Sequence, residues 1–300
     1  MNSIVVTGAG GFIGRALTRN LLNHGYIVYA ITKKPDDFLD LKSGNLIPIK
    51  CEFKNYSNLA KQIGLEVDFF IHLAWQGTSG AERNDASIQG ENIKSTIIAM
   101  EQANILKCNK FVFAGTYFQY RLNRRGFDNE YQRDSIYGVA KQCCSDLLKV
   151  IALNYDMNYC SFLFPTVYGP GDSFQRTPNQ FIWAMLNDKP LNLISGEQYH
   201  DWIYVEDAVE AVRRIAEDGI NGKSYYVGHR TPTSFRNILI DVKNILHSSS
   251  ELKFGTYSDN SFVDYDRINC EAIYQDIGWT PDISFHDSIL KTAQWIRSVI

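Results

Sequence analysis

The chain has 300 residues, 45% of them hydrophobic, with a formal net charge of −3 and an isoelectric point near 6.1. That is enough chain for one large α/β domain or two interleaved ones with a sizeable core. It carries no basic stripe for nucleic acid, no apolar run near the ~20 residues that span a bilayer, and no charged start leading into an apolar segment, so a cytoplasmic protein without nucleic-acid or membrane partners is expected.

Ser3–Thr7 reads as a short strand. It breaks into Gly8-Ala9-Gly10-Gly11-Phe12-Ile13-Gly14, after which Ile13, Leu17 and Leu21 recur at helical spacing. Strand, glycine-rich turn and helix is the context that a dinucleotide-binding fingerprint requires. Gly8, Gly11 and Gly14 have GxxGxxG spacing, and Gly10 adds a GxG. Glycines permit the tight turn and let backbone N–H groups approach a pyrophosphate, at which the helix N-terminus aims its positive end. Tyr26–Ile31 reads as a second strand. NAD-binding proteins commonly place an acid for the ribose 2′-hydroxyl about 20 residues past the glycines. This chain has Thr32-Lys33-Lys34 there. A hydroxyl and two cations suit a 2′-phosphate, so NADP(H) is expected ahead of NAD(H), which stays open. Asp36 and Asp37, beyond Pro35, are expected to lie too far along to serve the ribose.

Leu46–Ile49 suggests a third strand and Tyr56–Ile63 a short helix. Asp68–Ala74 reads as a buried fourth strand whose end, His72-Leu73-Ala74-Trp75, reaches the carboxyl edge where open α/β sheets bind ligands. His72 reads as a core histidine rather than a catalyst. The polar loop Gln76-Gly77-Thr78-Ser79-Gly80 is either a substrate-contacting loop or a plain connection. Ala86 to Lys107 reads as a long helix with Ile93, Ile97 and Met100 on one face, and Lys110–Gly115 as a fifth strand ending in Thr116-Tyr117. Five strands alternating with helices imply a doubly wound parallel sheet.

The next helix opens with Ser135-Ile136-Tyr137-Gly138-Val139-Ala140-Lys141. Spacing of i, i+4 puts Tyr137 and Lys141 on one face. A tyrosine hydroxyl titrates near 10, and a lysine one turn away lowers that, so the phenol can exchange a proton with a carbonyl oxygen. An ordinary exposed pair would have the same spacing. Ala140, Cys144, Leu147 and Ile151 form an apolar stripe expected in the core or in a dimer interface. Further on, Asn179–Leu186 and Asp207–Ile215 read as helices, Leu191–Ile194 and Ser224–Gly228 as strands, and Phe285, Ile289 and Ala293 as the buried side of a last helix. The six cysteines, Cys51, Cys108, Cys143, Cys144, Cys160 and Cys270, follow no CxxC spacing and form no Cys/His cluster, so free thiols and no metal are expected.

Thr7–Gly14, His72-Leu73-Ala74, Thr116, Tyr137…Lys141, Val167-Tyr168-Gly169-Pro170-Gly171, Asp201–Asp207 and Gly278-Trp279-Thr280-Pro281 occur in the order of a known family. Over nearly its whole length the chain resembles the extended short-chain dehydrogenase/reductases, in the branch that modifies nucleotide sugars. The resemblance implies a Rossmann-like doubly wound parallel sheet forming an NAD(P)-binding domain over residues 1–165, with return segments near 202–228. It implies a smaller nucleotide-sugar-binding α/β domain, interleaved with the first, over 166–300. It also implies a homodimer built from two helices per subunit.

By the same resemblance, Tyr137 is the general acid/base, Lys141 holds the nicotinamide ribose and tunes Tyr137, and Thr116 bonds the reacting oxygen. The cofactor would lie on Gly8, Gly10, Gly11, Phe12, Ile13 and Gly14, on Thr32, Lys33 and Lys34, on Leu73 and Ala74, and near Asn92. The nucleotide sugar would meet Gln76, Thr78, Ser79, Thr116, Tyr117, Thr166, Asn179 and His200. The family's sugar 4,6-dehydratases carry Asp-Glu after the catalytic Ser/Thr; here Thr116 is followed by Tyr117-Phe118, which speaks against dehydration. A cationic ribose site speaks for NADPH and net reduction. The expected reaction is therefore reduction of the 4-keto group of a CDP- or dTDP-linked 6-deoxyhexose for cell-surface polysaccharide such as O-antigen, with an NAD-dependent 4-epimerase as alternative. A nonenzymatic NADP-sensing protein is more remote, because such proteins usually lose the tyrosine or the lysine. Two positions depart from the family. His200 stands where an arginine often meets the diphosphate, leaving Arg176 or Arg267 for that role, and Thr166 replaces a frequent asparagine.

Overall fold

The computed structural model describes residues 2–41, 43–121, 123–125, 128–130, 136–258 and 263–300. Ser135, which opens the Tyr137 segment, lies outside the described residues. Through residue 164 strands and helices alternate except between β2 and β3: β1 (Ser3–Thr7), α1 (Phe12–Asn23), β2 (Ile27–Thr32), β3 (Leu46–Lys50), α2 (Leu59–Ile63), β4 (Phe69–His72), α3 (Ala86–Ile105), β5 (Lys110–Thr116), α4 (Ile136–Asn154) and β6 (Asn158–Phe164). Then follow β7 (Thr166–Tyr168), α5 (Thr177–Leu186), β8 (Trp202–Tyr204), α6 (Val205–Asp218), β9 (Ser224–Tyr226), α7 (Phe235–Ile245), α8 (Ala272–Ile277) and α9 (Phe285–Val299).

Seven strands pair in parallel in the order β9-β6-β5-β4-β1-β2-β3. The five expected strands are present within a residue or two of their expected ends. β6 is an addition. Its continuous run Tyr159–Phe164 has the buried-strand signal of a two-sided parallel sheet, which shows no alternation. Chain order reverses at β1, where Val5 pairs with Tyr29 of β2 and Phe70 of β4, so a crevice opens beyond its carboxyl end.

The core lies on both faces of the sheet. Ile4 and Val6 join Leu17 and Leu21 of α1 and Val209, Val212 and Ile215 of α6 on one side. Val5 joins Leu59 of α2, Met100 and Ala103 of α3, and Cys144 and Leu148 of α4 on the other. Lys110 Nζ caps the C-terminal end of α6, donating to the carbonyls of Ile215, Glu217 and Gly219 at 3.4, 3.2 and 2.9 Å, where helix carbonyls lack partners.

Two helix faces differ from expectation. On α3 the inner face carries Gln89, Asn92, Ser95 and Thr96 ahead of Met100, while Ile93 and Ile97 are only half-buried. Gln89 and Asn92 are inside because they hold the loop after β4, described below, and Thr96 because it meets His72. On α4, Ala140 and Cys144 are buried as expected and Ile151 is half-buried. Leu148, not Leu147, completes the inner stripe, and Leu147 shares an outer face with exposed Val139, Cys143 and Val150.

Candidate functional site

Gly8 follows β1 with φ +70°, and a Cβ there would sit 2.9 Å from Ala74 Cα. A Cβ on Gly14 would sit 2.1 Å from the Gly8 carbonyl oxygen. Only bare backbone allows this turn, and the first turn of α1 holds no acidic residue that would oppose an anion at its N-terminus. The turn opens into a cleft of about 990 Å³, lined at this end by Gly8, Gly11, Phe12, Ile13 and Gly14.

The middle of the cleft lies beyond β4 and β5. Gly138 lets α4 come close there, since a Cβ on it would lie 2.6 Å from the Phe118 carbonyl oxygen. That approach brings Tyr137 to Thr116, with a hydrogen bond between their side chains. Both line the cleft with Tyr117 and Phe118. Burial raises the Tyr137 hydroxyl above its ordinary range, opposed by the charge of Arg83, the Thr116 bond and the charge of Arg176. Lys141 is on the same wall, as the i, i+4 spacing requires. Its Nζ donates to the Ala114 carbonyl at 2.6 Å and lies 3.8 Å from the centroid of the Trp75 ring. Burial pushes the lysine down to about 7. Arg83 and Arg176 are cations whose charge opposes burial at Tyr137.

His72 is a core histidine. It is buried, with Nδ1 at 2.8 Å from Thr7 Oγ1 and Nε2 at 3.1 Å from Thr96 Oγ1, and burial lowers it to about 3. Thr96 donates to the Asn92 carbonyl, so its oxygen accepts from a proton on Nε2, and Nδ1 accepts from Thr7.

Leu73, Thr78 and Ser79 line the cleft as expected. Gln76 is exposed and off the wall, and Asn92 does not reach the wall either. Asn92 instead pins the loop, accepting from Gln76 N at 2.8 Å and donating to Gln76 O at 2.9 Å. Ala74 is buried behind the glycine turn, with its N–H on Thr7 Oγ1. At the far end Thr166, His200 and Arg176 line the cleft with Phe181, Phe235 and Tyr257, and His200 packs on the Phe235 ring at 4.8 Å. Asn179 sits behind this wall, fully buried, and donates to the Ser173 carbonyl at 3.0 Å. Arg267 lies off the cleft wall, over the Tyr120 ring, whereas Arg176 lines the cleft. Asp172, beside Arg176, also lines the cleft, and burial pushes its carboxyl up to about 6.

The end of β2 brings a correction. Thr32 is buried and its Oγ1 accepts from Lys34 N, while Lys33 and Lys34 are exposed. Pro35–Phe38 forms a 3-10 turn anchored by buried Phe38. That turn folds Asp37 back toward the glycines, so that a Cβ on Gly10 would lie 2.7 Å from Asp37 Oδ2 and 2.5 Å from Thr32 Oγ1. Asp37 is therefore within reach of the glycine turn.

Residues 4–228 match the NAD dependent epimerase/dehydratase family. The chain belongs to that family. It is an NAD(P)-dependent enzyme of the nucleotide-sugar epimerase/dehydratase group. CDP-abequose synthase of Salmonella typhimurium is 28% identical to it over 308 residues, covering 95% of each chain. Protein CapI of Staphylococcus aureus is 22% identical over 326 residues, covering 97% of each. Among solved structures, UDP-glucose 4-epimerase of Thermotoga maritima, determined with UDP-glucose, superposes with a TM-score of 0.83 at 20% identity, covering 99% of both chains. For this epimerase/dehydratase-family chain, the glycine cradle and acid-free start of α1 fit a dinucleotide pyrophosphate, and the Tyr137–Thr116 pair fits proton exchange at a sugar oxygen. Arg83 was not singled out from the sequence, and Trp75 was placed at the carboxyl edge of the sheet without a role. Arg83 sits in a loop with no period or motif, and only the fold brings the two to Tyr137 and Lys141. Among the described residues, no helix is long and apolar enough to cross a membrane.

Proposed function

We propose that this enzyme reduces the 4-keto group of a CDP- or dTDP-linked 6-deoxyhexose with NADPH, in the synthesis of a cell-surface polysaccharide sugar. The observation that carries the reading is the wall beside Thr116. Tyr117 and Phe118 follow it on the cleft, where a dehydratase needs a carboxylic acid to expel a hydroxyl. The likeness to CDP-abequose synthase supports the substrate class. Bound nicotinamide would supply the hydride. The chain's own part is to hold the sugar oxygen between the Tyr137 and Thr116 hydroxyls, where charge develops, and to protonate it from Tyr137. Residues 166–300 would hold the nucleotide, with Arg176 on the diphosphate. The preference for NADPH rests on Lys33 and Lys34 as partners of a 2′-phosphate. Incubation with a CDP- or dTDP-4-keto-6-deoxyhexose should consume NADPH; no turnover on any nucleotide 4-keto sugar would sink the proposal.

Asp37 favours a second reading. A carboxylate beside the glycine turn suits a ribose 2′-hydroxyl, and hence NAD and a 4-epimerase. That reading predicts interconversion of two nucleotide hexoses with no net use of added NADPH. We further propose a cytoplasmic homodimer joined through the outer face of α4, where Val139, Leu147 and Val150 are 38, 38 and 59% exposed. A monomer by light scattering at micromolar concentration would refute the dimer.

A further inference from the structure

The Lys141 ammonium is buried against two aromatic rings. Its Nζ lies 3.8 Å from the centroid of Trp75 and 4.9 Å from that of Phe113, and it donates to the Ala114 carbonyl at 2.6 Å. The carbonyl takes one of its three protons. The face of an aromatic ring carries the negative part of its quadrupole, and tryptophan attracts a cation more strongly than tyrosine or phenylalanine. A leucine at position 75 would fill much of the same space without that attraction.

The Trp75 ring is held by its edge. Its Nε1 donates to Gln89 Oε1 at 2.7 Å. Gln89 is buried on α3, and its Nε2 donates to the carbonyls of Gly77 at 3.1 Å and Glu82 at 3.2 Å. Those two acceptors fix which way the amide points, so that its oxygen faces the indole. Turning the ring over would break the bond from Nε1. The same ring meets Tyr137 edge-on, with centroids 6.3 Å apart, so it touches both the lysine and the tyrosine.

We propose that Trp75, held by Gln89, is a positioning residue that fixes the Lys141 side chain on the cleft wall and stabilises its positive charge there. The claim rests on the reading of Lys141 as the cation that holds the nicotinamide ribose and tunes Tyr137, but it is tested without sugar or cofactor. Burial works against the ammonium, and the ring works for it. The titratable and charged groups around it are Tyr137 and Cys144 on α4, His72 at the end of β4, and Arg83 over the Tyr137 ring. β5 brings Phe113 and the Ala114 carbonyl, and α3 brings Gln89 and Thr96, none of which titrates. Burial keeps His72 and Cys144 neutral between pH 6 and 9, at about 3 and about 12, and raises Tyr137 above its ordinary range. Arg83 stays charged throughout. A charge change in this window therefore belongs to Lys141.

The test grows the protein on lysine labelled with carbon-13 at the ε position. The Lys141 ε resonance, identified by its loss in Lys141→Met, is followed through pH. Trp75→Leu should lower the Lys141 titration by about one unit or more, and Trp75→Phe by less. Gln89→Met, which frees the indole edge but keeps the ring, should lower it by less than Trp75→Leu. A ring that only filled space would admit water to the ammonium when removed, and the titration would then rise. An unmoved or raised titration in Trp75→Leu would overturn the proposal. If Trp75→Leu fails to fold, the direction of the shift in Trp75→Phe decides in the same way. A lowered titration in a protein that turns over no nucleotide sugar would leave this inference standing and remove only the proposed reaction.

Discussion

Lys141→Met should make the protein less active and more stable. Burial holds the Lys141 ammonium at about 7, against an ordinary 10.5. Each unit of such a shift corresponds to about 1.4 kcal/mol, so at pH 7 the buried lysine opposes folding by about 4 kcal/mol relative to a side chain that does not titrate. Methionine matches the lysine stem in shape, but it leaves the Ala114 carbonyl without the bond now made at 2.6 Å, at about 1–3 kcal/mol. The net gain at pH 7 is therefore about 2 kcal/mol. Its pH dependence is the sharper signature. Between pH 7 and 10.5 the unfolded chain holds a proton on Lys141 that the folded chain has released, so wild-type stability rises with pH through that window. The advantage of Lys141→Met should shrink by about 1 kcal/mol per pH unit from pH 7 to 9. Urea unfolding of both proteins, without added cofactor, at pH 7, 8 and 9 measures this. A gap that is independent of pH, or that widens as pH rises, would refute the assignment of a burial-depressed lysine.

Tyr137→Phe should lower kcat by about 10²–10⁴ with little change in substrate KM, read by steady-state kinetics; a loss under tenfold would remove Tyr137 as proton donor. Lys33→Ala combined with Lys34→Ala should weaken NADPH binding far more than NADH binding in a fluorescence titration, and equal effects would refute the 2′-phosphate contact. Asp37→Ala probes the opposing reading: it should leave NADPH binding unchanged or stronger, whereas a selective loss of NADH binding would turn the enzyme toward NAD and epimerisation.

The parts of the site that were legible in the sequence are those written in local patterns. The glycine turn, the five strands and the Tyr137/Lys141 face each depend on spacing within a dozen residues, and the backbone follows that spacing closely. Asp37 was misjudged because distance along the chain is a poor guide where Pro35 starts a tight turn and buried Phe38 anchors its end. On α3 a reading by apolar period favoured Ile93 and Ile97 over the polar residues that hold the site loop. Gln89 and Asn92 face inward because backbone groups of that loop satisfy them there. Arg83 carried no signal, and Trp75 carried only its place at the ligand-binding end of β4. Their meaning depends on β4, α3 and α4 being brought together, which no stretch of the sequence states by itself.

The central claim is net reduction of a nucleotide-linked 4-keto sugar, and one measurement tests it most directly. Purified protein is mixed with NADPH and, separately, with CDP- and dTDP-4-keto-6-deoxyhexose. The absorbance of reduced nicotinamide is followed, and the sugar product is examined by NMR. The account predicts one NADPH consumed per sugar, a new hydroxyl at C4, and loss of both signals in Tyr137→Phe. Unchanged NADPH together with interconversion of two nucleotide hexoses would contradict it and establish the epimerase instead.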